Sequence, residues 1–280
     1  MKKFSKVIIC LVLVLSIAVL GAFALTACNK DKRAKVGYQN GTTAEYYVNG
    51  DEDWGFEGFS NIKGVGYTSA ALAVTDMING NIKYVVVDEL PAKNIASKNN
   101  KVKVIDIKLT DEDYAFAVDK TNSTLLTELN TWLAANQNTI SEISAKYFNG
   151  GETVKYPAGT KDTSKKQLVV ATNAEFAPFE YMEGDKFTGI DIEIMGTFAA
   201  ANGYELVIEN MDFDSVVTSV GSNGINIAAA ALTVNSERAQ VVNFSTTYYK
   251  AAQMVICLKD DNAFANCTTA DDVVAVLKSL

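Results

Sequence analysis

Two charged residues in this sequence stand at boundaries where a charged side chain can bind a ligand. Asp88 directly follows the apolar run YVVV, and Arg238 ends the segment Ser-Glu-Arg. An arginine fork can hold two carboxylate oxygens at once, and open α/β sheets bind ligands at the carboxyl ends of their parallel strands. Each residue also has a simpler interpretation, because Asp is a common helix N-cap and this Arg could be an exposed residue at the start of a helix. The residue types alone leave both interpretations open.

The composition excludes several classes of protein. The 280 residues include no histidine, so the chain has no Ser-His-Asp or Cys-His catalytic group and no histidine-rich zinc site. A net charge of −8 argues against nucleic acid as a partner, and a hydrophobic content of 48% is too high for disorder. The acidic clusters at 51–53 and 111–113 are interpreted as solvated loops, and no metal or other cofactor is expected. The composition therefore predicts a folded, acidic protein of one large domain or two ordinary ones.

Residues 1–28 have the pattern of an export signal. Lysines near the start precede an apolar run from Val7 to Leu25, and the sequence Leu-Thr-Ala-Cys ends at Cys28. This pattern resembles a bacterial lipoprotein signal, in which Cys28 is lipidated and becomes the first residue. A retained transmembrane helix is the alternative, but a polar segment at 29–35 follows at once. We expect a lipid anchor that holds the protein on the outer face of the cytoplasmic membrane, whether extracellular or periplasmic.

Apolar periodicity predicts strands that alternate with helices. Strands are predicted at 35–39, 84–87, 102–107, 114–118, 168–172, 204–209, 225–229, 241–244 and 252–258. Helices are predicted at 68–79, after Asp88, at 122–148 with a break near 136–138, and at 190–202, 213–220 and 271–280. The stretch 149–166 is polar and rich in Gly, Thr and Lys, which is typical of a linker. This alternation predicts α/β layers with a largely parallel sheet.

Several longer segments resemble one known family. The runs LVVATNAEFAPFEYMEGDKFTGIDIEI, MDFDSVV and AAAALTVNSERAQVVNFSTTYY are similar to the first lobe of the extracytoplasmic solute-binding proteins of polar amino acid ABC transporters, the bacterial family 3 type. The runs KVGYQNGTTAEYY, INGNIKYVVVDELPA and LTDEDYAFAVDK are similar to the later part of the same family. The resemblance implies a two-lobed, periplasmic-binding-protein-like (type II) α/β fold.

The order of these segments differs from the order usual in the family. The second lobe and the closing helices come first, and the first lobe follows the linker, which indicates a circular permutation. The expected second lobe comprises 34–117 plus 252–280, and the expected first lobe comprises 118–251, with closing helices at 121–148 and the linker at 149–166. A fragment of a tandem fusion and a gene cut short are alternatives. Permutation is favoured because one complete set of segments is present and none is duplicated.

The resemblance assigns roles to ten residues. Arg238 is expected to bind the carboxylate of an amino acid, with help from Thr233 and backbone N–H groups near Ala231. Asp88, on the opposite lobe, is expected to accept the α-ammonium group, so a ligand that holds both residues favours closure. The other expected residues are two rings that pack on the ligand side chain, two specificity groups and two threonines that donate to the carboxylate: Phe176, Phe213, Asn173, Gln39, Thr42 and Thr43. Related binders often carry Asp at the Asn173 position, so a cationic ligand side chain lacks one expected partner here, unless Glu175 replaces that charge. A polar, uncharged or weakly polar amino acid is therefore favoured.

The resemblance implies a monomeric binding protein, and not an enzyme, that captures an amino acid between its lobes. It would deliver that amino acid to an ABC permease in the membrane. A sensing receptor subunit, which reports the amino acid to a membrane partner without transport, fits the same site residues. A cleft enzyme derived from this fold is a third interpretation, for which Glu175 is the one unexplained acid or base.

Overall fold

The structure is a computed structural model that describes residues 31–280. The predicted lipoprotein signal, with Cys28, therefore lies outside the described residues. Residues 34–280 form one unit by their internal contacts. Within 31–280, no helix combines the length and the apolar character that crossing a membrane requires.

Fifteen strands and nine helices form the regular structure of the described residues. The strands are β1 (Ala34–Gln39), β2 (Ile62–Tyr67), β3 (Tyr84–Asp88), β4 (Val102–Ile105), β5 (Glu112–Tyr114), β6 (Ala117–Asp119), β7 (Gln167–Thr172), β8 (Glu175–Phe176), β9 (Glu180–Glu183), β10 (Lys186–Thr188), β11 (Glu205–Asn210), β12 (Ile227–Ala228), β13 (Val242–Phe244), β14 (Tyr249–Ala251) and β15 (Gln253–Leu258). The helices are α1 (Thr43–Asn49), α2 (Ala70–Ile78), α3 (Glu89–Lys98), α4 (Ser123–Ala135), α5 (Gln137–Asn149), α6 (Ile190–Ala201), α7 (Phe213–Ser219), α8 (Arg238–Val241) and α9 (Ala270–Lys278).

One five-stranded sheet has the order β2-β1-β3-β15-β4. Strands β1, β2 and β3 run parallel, whereas β15 runs antiparallel to both of its neighbours. Its central strands are continuous apolar runs because both faces of the sheet are covered. Val85 and Ile256 face one buried cluster, and Val86 and Val255 face the other. We call this sheet and the elements packed on it the β1 lobe.

A second five-stranded sheet has the order β11-β7-β12-β6-β13. Strands β11, β7 and β12 run parallel, and β6 runs antiparallel to β12 and β13. Leu168 and Val170 face one buried cluster, and Val169 and Ala171 face another. We call this sheet, with helices α4 to α8 and the three-stranded sheet β10-β9-β8, the β7 lobe. In each sheet the fourth strand comes from a distant part of the chain, β15 in the β1 lobe and β6 in the β7 lobe.

Two short strands carry the chain between the lobes. Along the chain, β5 follows β4 of the β1 lobe and precedes β6 of the β7 lobe. In the same way, β14 follows β13 of the β7 lobe and precedes β15 of the β1 lobe. They pair antiparallel, with Ala251 opposite Glu112. The chain therefore crosses between the lobes at 112–114 and at 249–251. The lobe boundaries expected from the sequence lie after residue 117 and after residue 251. We call β5 and β14 the hinge, because a paired crossing lets two lobes move about a few shared residues.

The stretch 150–166 contains no helix or strand, yet it packs along the β7 lobe. Tyr156 and Phe187 exchange backbone hydrogen bonds of 2.8 Å in both directions. The Tyr156 ring fills the space over Gly196, where a Cβ atom would lie 2.3 Å from the ring. The linker is therefore a packed connection between α5 and β7.

The predicted α/β class is confirmed, and the differences from prediction lie in short elements. The predicted strand 114–118 is two strands, β5 and β6, because the chain passes from the hinge into the sheet of the β7 lobe between them. The predicted strand 225–229 contributes only Ile227–Ala228 to the sheet. The sequence patterns do not predict β2, which contains two glycines, or the three-stranded sheet β10-β9-β8, whose strands are too short to show a period.

Candidate functional site

A small cavity between the two lobes brings together most of the residues expected to form the site. Its volume is about 10 Å³, which is room for about one water molecule. Eight of the ten expected residues line it: Thr42, Thr43, Asp88, Phe176, Phe213, Ala231, Thr233 and Arg238. The other two, Gln39 and Asn173, are joined across the lobes by a hydrogen bond from Gln39 Nε2 to Asn173 Oδ1 of 2.9 Å. We call this space the inner cavity.

The β1 lobe supplies its residues from the carboxyl ends of two neighbouring parallel strands. Gln39 ends β1, and Thr42 and Thr43 follow at the start of α1. Asp88 ends β3 and is the N-cap of α3, although its side chain makes no cap hydrogen bond. Asp88 thus has the position of an N-cap, as the simpler interpretation expects, but its carboxylate accepts from Tyr114 and Gln253 and makes no hydrogen bond that caps the helix.

The β7 lobe supplies its residues from loops and helix starts around β12. Phe213 begins α7, Arg238 begins α8, and Ala231 and Thr233 lie in the loop after β12. Ala231 has a φ of +48°, a backbone conformation that costs a residue with a Cβ about 1–2 kcal/mol. Its N–H donates to Asp191 Oδ2 at 2.9 Å, which holds the loop in this conformation.

The guanidinium of Arg238 is buried between the lobes and bonded to both. Its Nη1 donates to Thr233 O and its Nη2 donates to Gly41 O, each at 2.9 Å. The group also lies 5.1 Å from the ring centre of Trp54 and 5.5 Å from that of Phe213. Burial lowers the pKa of Arg238, but a guanidinium remains charged in proteins. The residue is therefore a fixed cation at the lobe interface and not the exposed helix residue of the simpler interpretation.

The carboxylate of Asp88 is buried and accepts two side-chain hydrogen bonds. Tyr114 donates its hydroxyl at 2.5 Å and Gln253 donates its Nε2 at 2.8 Å, both to Oδ1. Burial, together with the neighbouring carboxylate of Glu112, raises the pKa of Asp88 to about 7 against the lowering effect of those hydrogen bonds. Asp88 therefore changes its charge near neutral pH.

Glu112 corrects one sequence interpretation, which placed 111–113 in a solvated loop. Its side chain is only 6% exposed, whereas Asp111 is exposed and Asp113 pairs with Lys250 at the surface. Glu112 Oε2 accepts from Thr43 Oγ1 at 2.7 Å and from Thr233 Oγ1 at 2.6 Å. Side chains alternate along a strand, so the two-residue spacing from Glu112 to the apolar ring of Tyr114 was the signal for an inward carboxylate.

A second space lies next to the inner cavity and shares Arg238 and Phe213 with it. This outer cavity has a volume of about 330 Å³ and is lined from both lobes. At its edge Trp54 Nε1 donates to Glu237 Oε2 at 2.6 Å, and the Trp54 ring stacks on Tyr46 at 4.1 Å. Sequence reasoning missed Trp54, because no periodicity marks the segment around it.

Two further carboxyl groups are buried behind the site in the β7 lobe. Asp191 accepts from the Tyr248 hydroxyl at 2.6 Å and from the Ala231 N–H, and burial raises its pKa to about 7. Glu180 is fully buried, and neither of its carboxyl oxygens has a hydrogen-bond partner. Burial and the nearby charges of Asp191 and Asp88 raise the pKa of Glu180 well above its usual range. Within 31–280, no group of three or more acidic or cysteine side chains is arranged to hold a metal ion.

Comparison with known proteins finds one family and several relatives. Residues 168–278 match the family model of the bacterial extracellular solute-binding proteins, family 3. The arginine-binding extracellular protein ArtP of Bacillus subtilis (strain 168) is 37% identical over 99 residues, which are 35% of this chain and 39% of that protein. A probable histidine-binding protein of Campylobacter jejuni subsp. jejuni is 30% identical over 96 residues, which are 34% of this chain and 38% of that protein. The chain thus spans well under half the length of these curated relatives.

One similar solved structure is that of the probable amino-acid ABC transporter extracellular-binding protein ytmK from Bacillus subtilis. The similarity covers 89% of this chain and 91% of the ytmK chain. Its TM-score is 0.44 and its sequence identity is 9%.

Burial of Glu180 should lower the free energy of unfolding increasingly as pH rises, and Glu180→Gln should remove this loss. The folded state holds the carboxyl as a neutral acid, whereas the unfolded chain ionises it at the usual pKa of a Glu. The stability that Glu180 contributes is therefore present at acid pH and is lost as pH rises through its raised pKa. We expect the free energy of unfolding of Glu180→Gln, relative to the unsubstituted protein, to increase from pH 5 to pH 9, by at most about 1.4 kcal/mol per pH unit. Urea denaturation at each pH measures it.

Glu183→Gln is the matched control, because Glu183 lies on the same strand and pairs with Lys155 at the surface. This variant should show no gain that grows with pH. Parallel stability curves for the unsubstituted protein and Glu180→Gln would contradict the assignment of a neutral, buried Glu180.

Proposed function

We propose that this chain, whose residues 168–278 match the family model of the bacterial extracellular solute-binding proteins, family 3, binds an amino acid between its lobes and delivers it to an ABC permease. The match covers the β7 lobe from β7 onward, together with β14, β15 and all of α9. Two relatives are named for the binding of arginine and histidine, which supports an amino acid as the ligand class.

The inner cavity carries the proposal, because it is lined by one cation and one anion from opposite lobes. Arg238 belongs to the β7 lobe and Asp88 to the β1 lobe. An amino acid zwitterion needs a donor fork for its carboxylate and an acceptor for its ammonium group, and these two residues are that pair. Phe176 and Phe213 add apolar walls against which a ligand side chain can pack.

Ligand entry requires the lobes to separate, because the inner cavity has room for only about one water molecule. Two direct hydrogen bonds hold the lobes together around it, Arg238 to Gly41 and Gln39 to Asn173, and Glu112 bridges Thr43 and Thr233. Opening at the hinge breaks these contacts and frees Nη2 of Arg238, whereas Nη1 keeps its hydrogen bond to Thr233 O within the β7 lobe. A ligand that holds Arg238 and Asp88 at once replaces them and favours reclosure, since it gains both partners only in the closed state.

Calorimetric titration of residues 29–280 against the twenty protein amino acids and L-cystine tests the proposal. We expect one saturable ligand with an affinity near micromolar, about −8 kcal/mol. Arg238→Ala should weaken that binding at least about 100-fold, because it removes the buried cation that meets the ligand carboxylate. Arg33→Ala, which changes the other arginine of the sequence at an exposed position, is the matched control. No heat from any of these compounds, with the protein folded, would refute the function.

We also propose that Cys28 carries a lipid that holds a monomeric protein on the outer face of the cytoplasmic membrane. The support is the sequence alone: a basic start, an apolar run and Leu-Thr-Ala-Cys. Two or more acyl chains would give stable anchoring. The intact mass of the protein extracted from membranes should equal residues 28–280 plus the lipid, and an unmodified Cys28 would contradict the proposal.

We further propose that the chain is a circular permutant, with a second lobe at 34–117 plus 252–280 and a first lobe at 118–251. The support is the position of the family match, which begins at residue 168, together with the completion of both sheets by strands from the other part of the chain. A rearranged chain that runs 166–280 and then 31–149 should fold and bind the same amino acid. Failure of this chain to fold cooperatively would argue against permutation.

A further inference from the structure

The carboxylate of Glu112 reaches threonine hydroxyls from both lobes, although it stands on neither lobe. We propose that Glu112 is a positioning residue that makes the hydroxyls of Thr43 and Thr233 acceptors, so that they and Asp88 form a receptor for the ligand's ammonium group. The inference rests on the proposed function and adds to it the means by which one end of the inner cavity selects an amine.

Glu112 occupies the hinge, at the point where both lobes meet. It is the first residue of β5, and its Oε2 accepts from Thr43 of the β1 lobe and Thr233 of the β7 lobe at 2.7 and 2.6 Å. The two hydroxyl oxygens are 3.2 Å apart, so the carboxylate bridges them more closely than they approach each other. A single carboxylate oxygen thus holds both threonines when the lobes are closed.

The direction of these hydrogen bonds fixes what the hydroxyls can offer a ligand. Each threonine hydroxyl has one hydrogen and two lone pairs. Both hydroxyls are the donors in their hydrogen bonds to Glu112 Oε2, so each gives its hydrogen to that carboxylate. Thr43 and Thr233, which both line the inner cavity, therefore present lone pairs to it and no hydrogen. This differs from the sequence expectation, in which both hydroxyls assist the carboxylate end of the ligand.

The other oxygen of Glu112 ties this arrangement to Asp88. Glu112 Oε1 accepts from Thr110 Oγ1 at 2.5 Å and from Gln253 Nε2 at 3.0 Å. The same Gln253 nitrogen donates to Asp88 Oδ1 at 2.8 Å, so one amide holds both carboxylates in register. Asp88, Thr43 and Thr233 then face the cavity as three acceptors, while the donors of Arg238 serve the opposite end of a zwitterion.

A receptor made only of acceptors selects by repulsion as well as attraction. An ammonium group offers three hydrogens and satisfies such a set, whereas a carboxylate or a carbonyl oxygen in its place would meet lone pairs without a donor. The ligand is therefore oriented in one direction, with its ammonium toward Asp88 and its carboxylate toward Arg238. The arrangement exists only with the lobes closed, because it needs one threonine from each.

Glu112→Gln tests the proposal with little change in shape. The amide group places a donor against the threonines, so at least one hydroxyl hydrogen turns into the cavity. The probe is the compound that binds the unsubstituted protein most tightly among the twenty amino acids and L-cystine. We expect its affinity for Glu112→Gln to be at least about tenfold lower. Asp113→Asn makes the same chemical change one residue away at the surface, and its affinity should stay within about twofold of the unsubstituted protein.

The pH profile of binding separates this role from a merely structural one. Asp88 must be charged to hold an ammonium group, so affinity should rise with pH through about 7 in the unsubstituted protein. The charged or titratable groups around Asp88 are Glu112 and Tyr114 of the hinge, and Glu180 and Arg238 of the β7 lobe. Removing the charge of Glu112 removes one cause of the raised pKa of Asp88, so the midpoint should move to lower pH in Glu112→Gln.

The outcomes are distinct. If no compound binds the unsubstituted protein, the proposed function fails, and this inference fails with it. If a compound binds it and Glu112→Gln equally, or if the pH midpoint does not move, this inference alone is wrong. Should Glu112→Gln not fold, Thr233→Val and Thr233→Ser replace it: the valine variant should lose about tenfold in affinity and the serine variant should retain it, and equal affinities would overturn the proposal.

Discussion

A single buried guanidinium between the lobes is the constraint that organises this site. Among the described residues, Arg238 is the only Lys or Arg whose side chain is buried. A charge removed from water must find partners close by, and Arg238 finds a backbone carbonyl on each lobe and two aromatic faces. Those carbonyls come from the loop after β12 and the loop after β1, so Arg238 joins the two loops across the lobe interface. The cleft is thus shaped around a cation that can exchange its carbonyl partners for a ligand carboxylate.

The hinge is part of the site as well as the connection between the lobes. Residues Glu112 and Tyr114 lie two apart on β5, so both side chains point to the same side of the strand. One bridges threonines of the two lobes, and the other donates to Asp88. Any rotation about the hinge therefore changes the contacts that orient the polar end of the cavity. This arrangement links the conformation of the crossing strands to the chemistry between the lobes.

Acidic groups outnumber the buried cation around the cavity. Asp88, Glu112, Glu180 and Asp191 are all buried, and burial raises the pKa of three of them: Asp88, Glu180 and Asp191. Burial in a medium of low polarity penalises the charged form of a carboxyl group. Protonation therefore neutralises these groups where no further cation is present to pair with them. The net charge of the interface is therefore set by pH near neutrality as well as by what lies between the lobes.

Local patterns in the sequence were sufficient for most of the fold and for the expected site residues. Apolar runs predicted every strand of the two five-stranded sheets except β2, and family motifs gathered ten residues of which eight line one cavity. Only the tertiary structure decided that Glu112 points inward, that Trp54 meets Glu237, and that Glu180 is buried without a partner. The physical reason is that a polar side chain is buried or exposed according to partners from distant parts of the chain. Periodicity reports which face of an element is apolar, and it cannot report which remote hydroxyl, amide or ring will meet that face.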